Sequence, residues 1–404
     1  MNRALITDVH YRMGLAAVRS LGRRSIPVTA VEFNNIPQKS VLGFYSRYTD
    51  DKKIVPNALE NQMEFVNSII KIAEEQQNTA ANHMDKPVLI PVGLDSLMAV
   101  SRYDKLLEPY YDFVVPPLES IEIANDTEKL LEVAEKIGVP YPESTTLAEN
   151  ETVEHLSQRI GYPVVIKYRK GELLKLSAGK RYRIIHDQKT FIEAFKEMHA
   201  IQKYPLVQRY VSGTGFGVSV VFDRRGEPLE IFCHKRLREY PATGGPSCFC
   251  ESVWDDRLVD YAVKLLKALN WRGVAMVEFK GDLDYEVCLM EINPRFWGSL
   301  PLSIASGCDI PYAIYRAASW EFSKENDATG YKWSPERYKK GKRMRYLLQD
   351  IMTLPGYLKI TKNKAGFLAK FTAQLFNPTI SEGVFEFKDW KPSLAYLRQA
   401  VKKI

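Results

Sequence analysis

Apolar residues along the chain fall into short runs separated by stretches of helical period. Residues 3–9 read as a buried strand, Gly14 opens an amphipathic helix through Leu15, Val18 and Leu21, and residues 26–31 read as the next strand. This is a βαβ start. A second helical pattern (Phe65, Ile69, Ile70, Ile72) leads to the strand-like run 87–92, which predicts a small parallel α/β unit up to about residue 115. From Asn125 the pattern changes. A helix capped by Asp126 carries Leu130, Leu131, Val133, Ala134 and Ile137, and it stops at Gly138-Val139-Pro140. Beyond it come a helix near 151–160, the turn Gly161-Tyr162-Pro163, a strand at 164–167 and a loop at 169–181 bearing Gly171, Lys175, Leu176 and Gly179. Strands at 206–211, 217–222, 229–235, 274–279 and 286–292, with a helix at about 256–269, make this second unit α+β. The last stretch has a helical apolar pattern (Leu347, Leu348, Ile351, Leu354) broken by Pro355-Gly356. After the break, Phe367, Leu368, Phe371, Leu375 and Phe376 are interleaved with lysines.

Length and composition narrow the classes. A chain of 404 residues with 45% hydrophobic and 26% charged residues has room for two or three cored domains, and its composition excludes disordered, collagenous and small stapled scaffolds. Asp8 and His10 interrupt the first apolar run before it reaches signal-peptide length, and no run approaches a membrane span. Five sparse cysteines (Cys233, Cys248, Cys250, Cys288, Cys308) read as reduced thiols, so a cytoplasmic protein is expected. The net charge of +7 is unevenly spread: residues 331–404 hold 16 Lys+Arg against 5 Asp+Glu, and the first 330 hold 40 against 44. The basic character belongs to one tail, which reads first as a solvated surface or a face packed on the protein's own core. Contact with an anionic membrane is the disfavoured alternative, and nucleic acid is not expected. Neither G-x-G-x-x-G nor a P-loop is present; Gly213-Thr214-Gly215-Phe216-Gly217 has the wrong spacing and lies between strands.

The chemistry concentrates in residues 273–299. Glu278 and Glu291 lie on separate apolar strands, and buried carboxylates persist where a cation offsets them. On adjacent antiparallel strands, with Asn293 two residues further on the same face, they supply hard oxygen ligands suited to Mg²⁺. Arg295 keeps that alternation and is expected to clamp a carboxylate or phosphate. Lys235, Arg236 and Arg238, followed by Gly244-Gly245, suit a polyanion; alternation predicts Arg236 and Arg238 on one face and Lys235 on the other.

These motifs carry a resemblance. Residues from about 120 to 312 resemble the ATP-grasp superfamily of carboxylate ligases, most diagnostically through Glu291-Ile292-Asn293-Pro294-Arg295. Residues 234–241, 244–247 and 293–299 are similar to ATP-dependent carboxylate-amine ligases. The resemblance implies that Lys167, after Gly161-Tyr162-Pro163, meets ATP phosphate and that the 169–181 loop covers it. It also implies that Gln208, Arg209, Tyr210 and Val211 form the hinge that hydrogen-bonds the adenine edge. The sequence departs from the family pattern where Thr127 replaces a lysine, for which Lys129 is the candidate substitute, and where Gln208 replaces a glutamate.

The expected architecture is a Rossmann-like α/β domain preceding the ATP-grasp fold (1–118), a two-subdomain α+β ATP-grasp domain (119–320) and a basic C-terminal extension (321–404). The expected function is ATP-dependent activation of a small-molecule carboxylate as an acyl phosphate and its coupling to an amine. ATP and Mg²⁺ (or Mn²⁺) are the expected cofactors; Glu278, Glu291 and Asn293 are the metal ligands, and Arg295, Lys235 and Arg236 act on the reacting groups. A thiol acceptor, bicarbonate activation and a non-catalytic nucleotide-binding regulator are the competing readings, and a homodimer is compatible with the fold.

Overall fold

The computed structural model describes residues 2–401 apart from 80–85, 172, 175, 177, 243 and 320–337. Lys175 and the expected boundary at 320 therefore lie outside the described residues. Three sheets organise the chain. The first is parallel, built from β1 (Ala4–Ile6), β2 (Val28–Phe33), β3 (Asp51–Val55) and β4 (Val88–Ile90) in the order β3-β2-β1-β4. Its strands β1, β2 and β4 are wholly buried, as a parallel sheet covered on both faces requires. The chain reverses direction across the sheet between β1 and β4, and the loops after these strands diverge there. Asp8 sits in that gap at φ 56°, accepting from the Gly93 amide at 3.0 Å, while Glu32 at the end of β2 accepts from the His10 amide at 2.6 Å.

The second sheet is small and antiparallel: β5 (Ser144–Thr145), β6 (Val164–Lys167), β7 (Tyr182–Ile185) and β8 (Leu206–Arg209), in the order β5-β8-β6-β7. Val164 and Ile166 point into a core completed by Phe191 and Phe195 of the helix Gln188–Ile201, which Asp187 caps at the Thr190 amide. Lys167 closes β6 on the opposite parity from these core positions.

The third sheet has seven strands: β9 (Thr214–Phe222), β10 (Pro228–Glu239), β11 (Ser247–Val253), β12 (Gly273–Gly281), β13 (Val287–Asn293), β14 (Arg343–Arg345) and β15 (Ile380–Glu382). Their order is β13-β12-β9-β10-β11-β14-β15. One face packs Val218, Cys233, Val277 and Phe279 against the helix Asp256–Ala268. The other packs Phe232, Met276, Phe296 and Trp297 with the helices Leu300–Ser306 and Ile310–Ala318, which also meet the first helix, Arg12–Gly22.

Two findings bear on the expectations here: the tail follows the reading of a face packed on the protein's own core, and the alternation expected in β10 breaks. The basic tail is built into this fold: β14 and β15 extend the large sheet. The buried Arg19 guanidinium meets Asp389 Oδ2 at 2.9 Å, and the same carboxylate accepts from Ser46 Oγ and the Arg47 amide, each at 2.8 Å. Among the described residues no helix is long and apolar enough to cross a membrane. The second finding concerns β10, where a bulge between Arg236 and Arg238 sets Arg236 opposite Cys250 but Arg238 opposite the adjacent Phe249. The extra residue reverses the alternation, so Arg238 leaves the face of Arg236 and lies over the Phe249 ring, 4.4 Å from its centroid. Strict alternation failed because one strand carries a residue its partner lacks.

Candidate active site

The site is assembled on the face of the large sheet that looks toward the small one. Glu278 and Glu291 are direct cross-strand partners, and Met276 opposes Asn293, so the two carboxylates and the carboxamide share a face. Asn293 Nδ2 donates to Glu278 Oε1 at 3.0 Å and to Glu291 Oε1 at 3.2 Å. Arg236 reaches over β9 from β10: its Nη2 pairs with Glu278 Oε2, and its Nη1 donates to Glu239 Oε1 at 3.2 Å and to the Gly245 carbonyl at 3.3 Å. Its buried Nε has no partner among the described residues.

The glycines of β9 make that reach possible. A Cβ at Gly215 would stand 2.9 Å from Arg236 Cδ, and one at Gly217 would stand 2.3 Å from the ring of His234. Gly215 and Gly217, which fit no nucleotide fingerprint, are thus the floor across which Arg236 meets Glu278. His234 is buried beside it, its Nε2 3.0 Å from Ser299 Oγ, and burial drives its pKa down to about 3, so the imidazole is neutral. Period-two glycines in an otherwise β-branched and aromatic strand were the signal for this floor.

Electrostatically the cluster is under-compensated. Burial pushes the Glu278 carboxyl up to about 7; Arg236 opposes the shift, and Glu291 and Glu239 add to it. From the small sheet, Lys167 Nζ donates to the Met290 carbonyl at 3.5 Å; burial pushes its pKa down to about 8 while Glu291 opposes the shift. Tyr182 on β7, not anticipated from the sequence, feels Glu239, Arg236 and Glu291, and a Cβ on Gly244 would stand 2.0 Å from its hydroxyl. The two sheets therefore close on one cleft. Among the described residues no three His, Cys, Asp or Glu side chains gather in a way that could hold a metal ion by themselves, so the candidate cation ligands are two carboxylates and one carboxamide.

The hinge is equally well defined. β8 runs through Tyr210 and the buried Val211 into β9, and Gly213, at φ 111°, brings its backbone so close to Gly281 that a Cβ would stand 2.3 Å from that carbonyl oxygen. Arg209 Nη2 meets both Glu286 carboxylate oxygens, at 3.0 and 2.9 Å, and Lys280 Nζ lies 5.2 Å from the Tyr210 ring centroid. Gln208 is buried and donates from Nε2 to Ser144 Oγ at 2.7 Å.

Three candidates stand apart. Lys235 points to the opposite face, where its Nζ meets Glu251 at 2.9 Å, so the structure does not bring it to the cluster. Lys129 is exposed in the first turn of the helix Thr127–Lys136; that helix does touch the segment after Lys167, through the Thr127 amide and the Arg169 carbonyl at 3.0 Å. Arg295 lies two residues past the end of β13 and donates Nη1 to the Phe296 carbonyl at 2.9 Å.

Comparisons with known proteins bear on the fold. A family described as ATP-grasp in the biosynthetic pathway with Ter operon matches residues 203–335. The large chain of carbamoyl phosphate synthase from Clostridium acetobutylicum is 23% identical over 301 residues, which is 72% of this chain and 25% of that one. The chain thus spans about a quarter of the length of that relative. Among solved structures, biotin carboxylase from Campylobacter jejuni aligns with TM-score 0.63 and 19% identity, covering 85% of this chain and 74% of the other. The L-amino acid ligase of Bacillus licheniformis aligns with TM-score 0.54 and 15% identity, over 78% and 74%. The family match over residues 203–335, together with these relatives, makes the chain similar to proteins of the ATP-grasp superfamily.

Proposed function

We propose that this protein is an ATP-dependent ligase that phosphorylates a small-molecule carboxylate and couples the acyl phosphate to an amine, releasing ADP and phosphate. The observation that carries the reading is the shared face of Glu278, Glu291, Asn293 and Arg236, with Lys167 entering from the opposite sheet. The donor set is hard oxygen, and burial leaves Glu278 short of positive charge, so the residues fit Mg²⁺ or Mn²⁺. A divalent ion there offsets the charge of the transferring phosphoryl group. Lys167 serves as a point charge for phosphate. The 206–211 segment receives the adenine edge through its backbone, with Tyr210 and Val211 beside the ring. Arg236, held by Glu239 and Glu278, presents fixed positive charge to the acyl phosphate and to the tetrahedral oxyanion, and Arg295 does so from the segment after β13. The amine nitrogen attacks the acyl carbon and the carbon–oxygen bond to phosphate breaks. The electron pair leaves with phosphate, and the amine gives up a proton. Lys235 has no part in these steps.

Bicarbonate as the activated carboxylate is the second reading, favoured by the carboxylase and the carbamoyl phosphate synthase among the similar proteins. The test is ADP release from Mg-ATP across pooled carboxylates and amines, with bicarbonate alone as a separate arm and Glu291→Gln beside both. Release that needs a carboxylate and an amine together, and disappears in Glu291→Gln, is the expected result. Release driven by bicarbonate alone selects the second reading, and undiminished release by the variant overturns the metal assignment.

A further inference from the structure

A cavity lies away from the carboxylate cluster. It lies on the far face of the large sheet, beneath the helices Leu354–Ile360 and Lys364–Leu375, and has a volume of about 300 Å³. Its walls are aromatic, from Phe249, Tyr357, Phe367 and Phe371, and two cations, Arg343 and Lys370, stand on it. The charges around it are unequally matched. Arg238, stacked between Phe249 and Phe371, is held by both oxygens of the buried Asp350, at 2.6 and 2.8 Å. Arg343 shares Glu251 with Lys235. Lys370 makes no ion pair among the described residues.

We propose that this cavity is an effector site for a small amphipathic carboxylate, a flat apolar body against the Tyr357 and Phe367 side of the cavity with its anionic end on Lys370 and Arg343. The volume is at the small end of ligand pockets, which suits a molecule of one ring rather than a nucleotide. The lining supplies what such a ligand needs: ring faces for its body and an uncompensated cation for its charge. A wire to the active site is present. Tyr357, a wall residue, accepts a hydrogen bond at its hydroxyl from the Glu239 amide at 3.0 Å, and the Glu239 carboxylate holds Arg236 on Glu278. Filling the cavity bears on Tyr357, and through Glu239 on the arginine that faces the phosphates. This coupling half rests on the ligase reading above; the binding half does not.

Isothermal titration of the full-length protein with 3-phenylpropionate, and with its neutral amide as control, tests the site without turnover. The carboxylate is expected to bind and the amide to bind roughly three- to tenfold more weakly, the range set by one charged contact at a partly open site. Lys370→Ala, an exposed position that folding does not require, is expected to weaken the carboxylate by the same factor and leave the amide unchanged. No heat from either compound up to about 5 mM, or equal carboxylate binding by Lys370→Ala, overturns the site. Saturating phenylpropionate is expected to shift the ATP concentration for half-maximal ADP release, and Tyr357→Phe to keep the binding and lose the shift. Binding with no shift in the native protein overturns the coupling alone. A protein that binds phenylpropionate but releases no ADP with any substrate instead counts against the ligase reading.

Discussion

Arg236 and Arg238 stand two residues apart on one strand and live in opposite electrostatic regimes. Arg238 lies in the C-terminal cap, where its guanidinium is saturated by Asp350 and by Gln374 Oε1 at 2.7 Å and sandwiched by two phenyl rings. Arg236 lies in the cleft, where one nitrogen is buried without a partner among the described residues and the carboxylate it faces is pushed up to about 7 by burial and by a second carboxylate. In the cap the buried Arg238 has its charge matched by Asp350, as a group that only holds the fold together must be. The cleft leaves its charges in arrears, which is tolerable where a phosphate and a cation are to arrive. The difference between structural and functional charge is therefore one of satisfaction, since burial and residue type are shared.

The most damaging way to break this comparison is to remove the cap's own counter-charge. Asp350→Ala leaves Arg238 buried and unpaired and is expected to cost about 3–5 kcal/mol of stability, read as a lowered urea midpoint with an unchanged slope. Asp389→Ala is expected to act similarly through Arg19, since Asp389 ties the first helix and the 46–47 turn to the C-terminal region. If either variant unfolds at the native midpoint, the tail is a surface appendage after all.

The cleft predicts the reverse pattern. Glu278→Gln is expected to lower ADP release by about 10²–10³-fold, the usual loss when one electrostatic partner of a reacting group is removed, without loss of stability. The stability expectation has a sign and a window. A carboxyl whose folded pKa of about 7 exceeds the ordinary value of 4.5 destabilises the folded state progressively as pH rises between those values, so the amide is expected to match the native protein at pH 4 and equal or exceed it at pH 8. A variant that is inactive because it is unfolded at pH 8 removes the contrast with Asp350.

Much of this was legible in the chain. The Glu278 and Glu291 pairing follows from two apolar runs flanking a turn, and Asn293 from period two. The capped helix at Asp126 and the strand ending in Lys167 are equally local readings. What escaped is non-local. β3 alternates charged and apolar residues at a sheet edge, and β11 is a short run of Ser and Cys whose burial comes from the strands on either side. The β10 bulge is fixed by how β10 sits on β11, so it moved Arg238 without leaving a sequence mark. Pro355 reads in the sequence as a helix breaker, yet it occupies the first turn of its own helix, where a missing amide costs nothing. Tyr182 reaches the cleft because the small sheet folds over the large one, which no pattern inside β7 announces.

A third test separates the small-sheet wall of the cleft from the cap by pH. Burial lowers Lys167 from 10.5 to about 8, so ADP release is expected to fall above pH 8, toward tenfold per unit, as the ammonium loses its proton. Stability moves the opposite way: a lysine with a depressed folded pKa carries its full burial penalty below pH 8 and sheds it between 8 and 10.5. Activity lost while stability is held or gained identifies Lys167 rather than alkaline unfolding. Lys167→Arg, which keeps its charge, is expected to push the falling limb to higher pH; a limb that stays at 8 assigns it to another group.

The smallest expected effect is also the finest discriminator, because it concerns the immediate neighbour of Arg236. Lys235 faces Glu251 across the sheet from the cleft, with about a third of its side chain in solvent, and Glu251 keeps Arg343 as a second partner when Lys235 is removed. Lys235→Ala is therefore expected to cost about 0.2–1 kcal/mol of stability, the range for an exposed ion pair, and to leave ADP release within about twofold of native. Arg236→Ala, one position on, strips from Glu278 the guanidinium that pairs with it and belongs with the large losses. If the two variants lose activity equally, adjacent residues on opposite faces act together, and the cleft is not the electrostatically distinct region that the carboxylate cluster makes it.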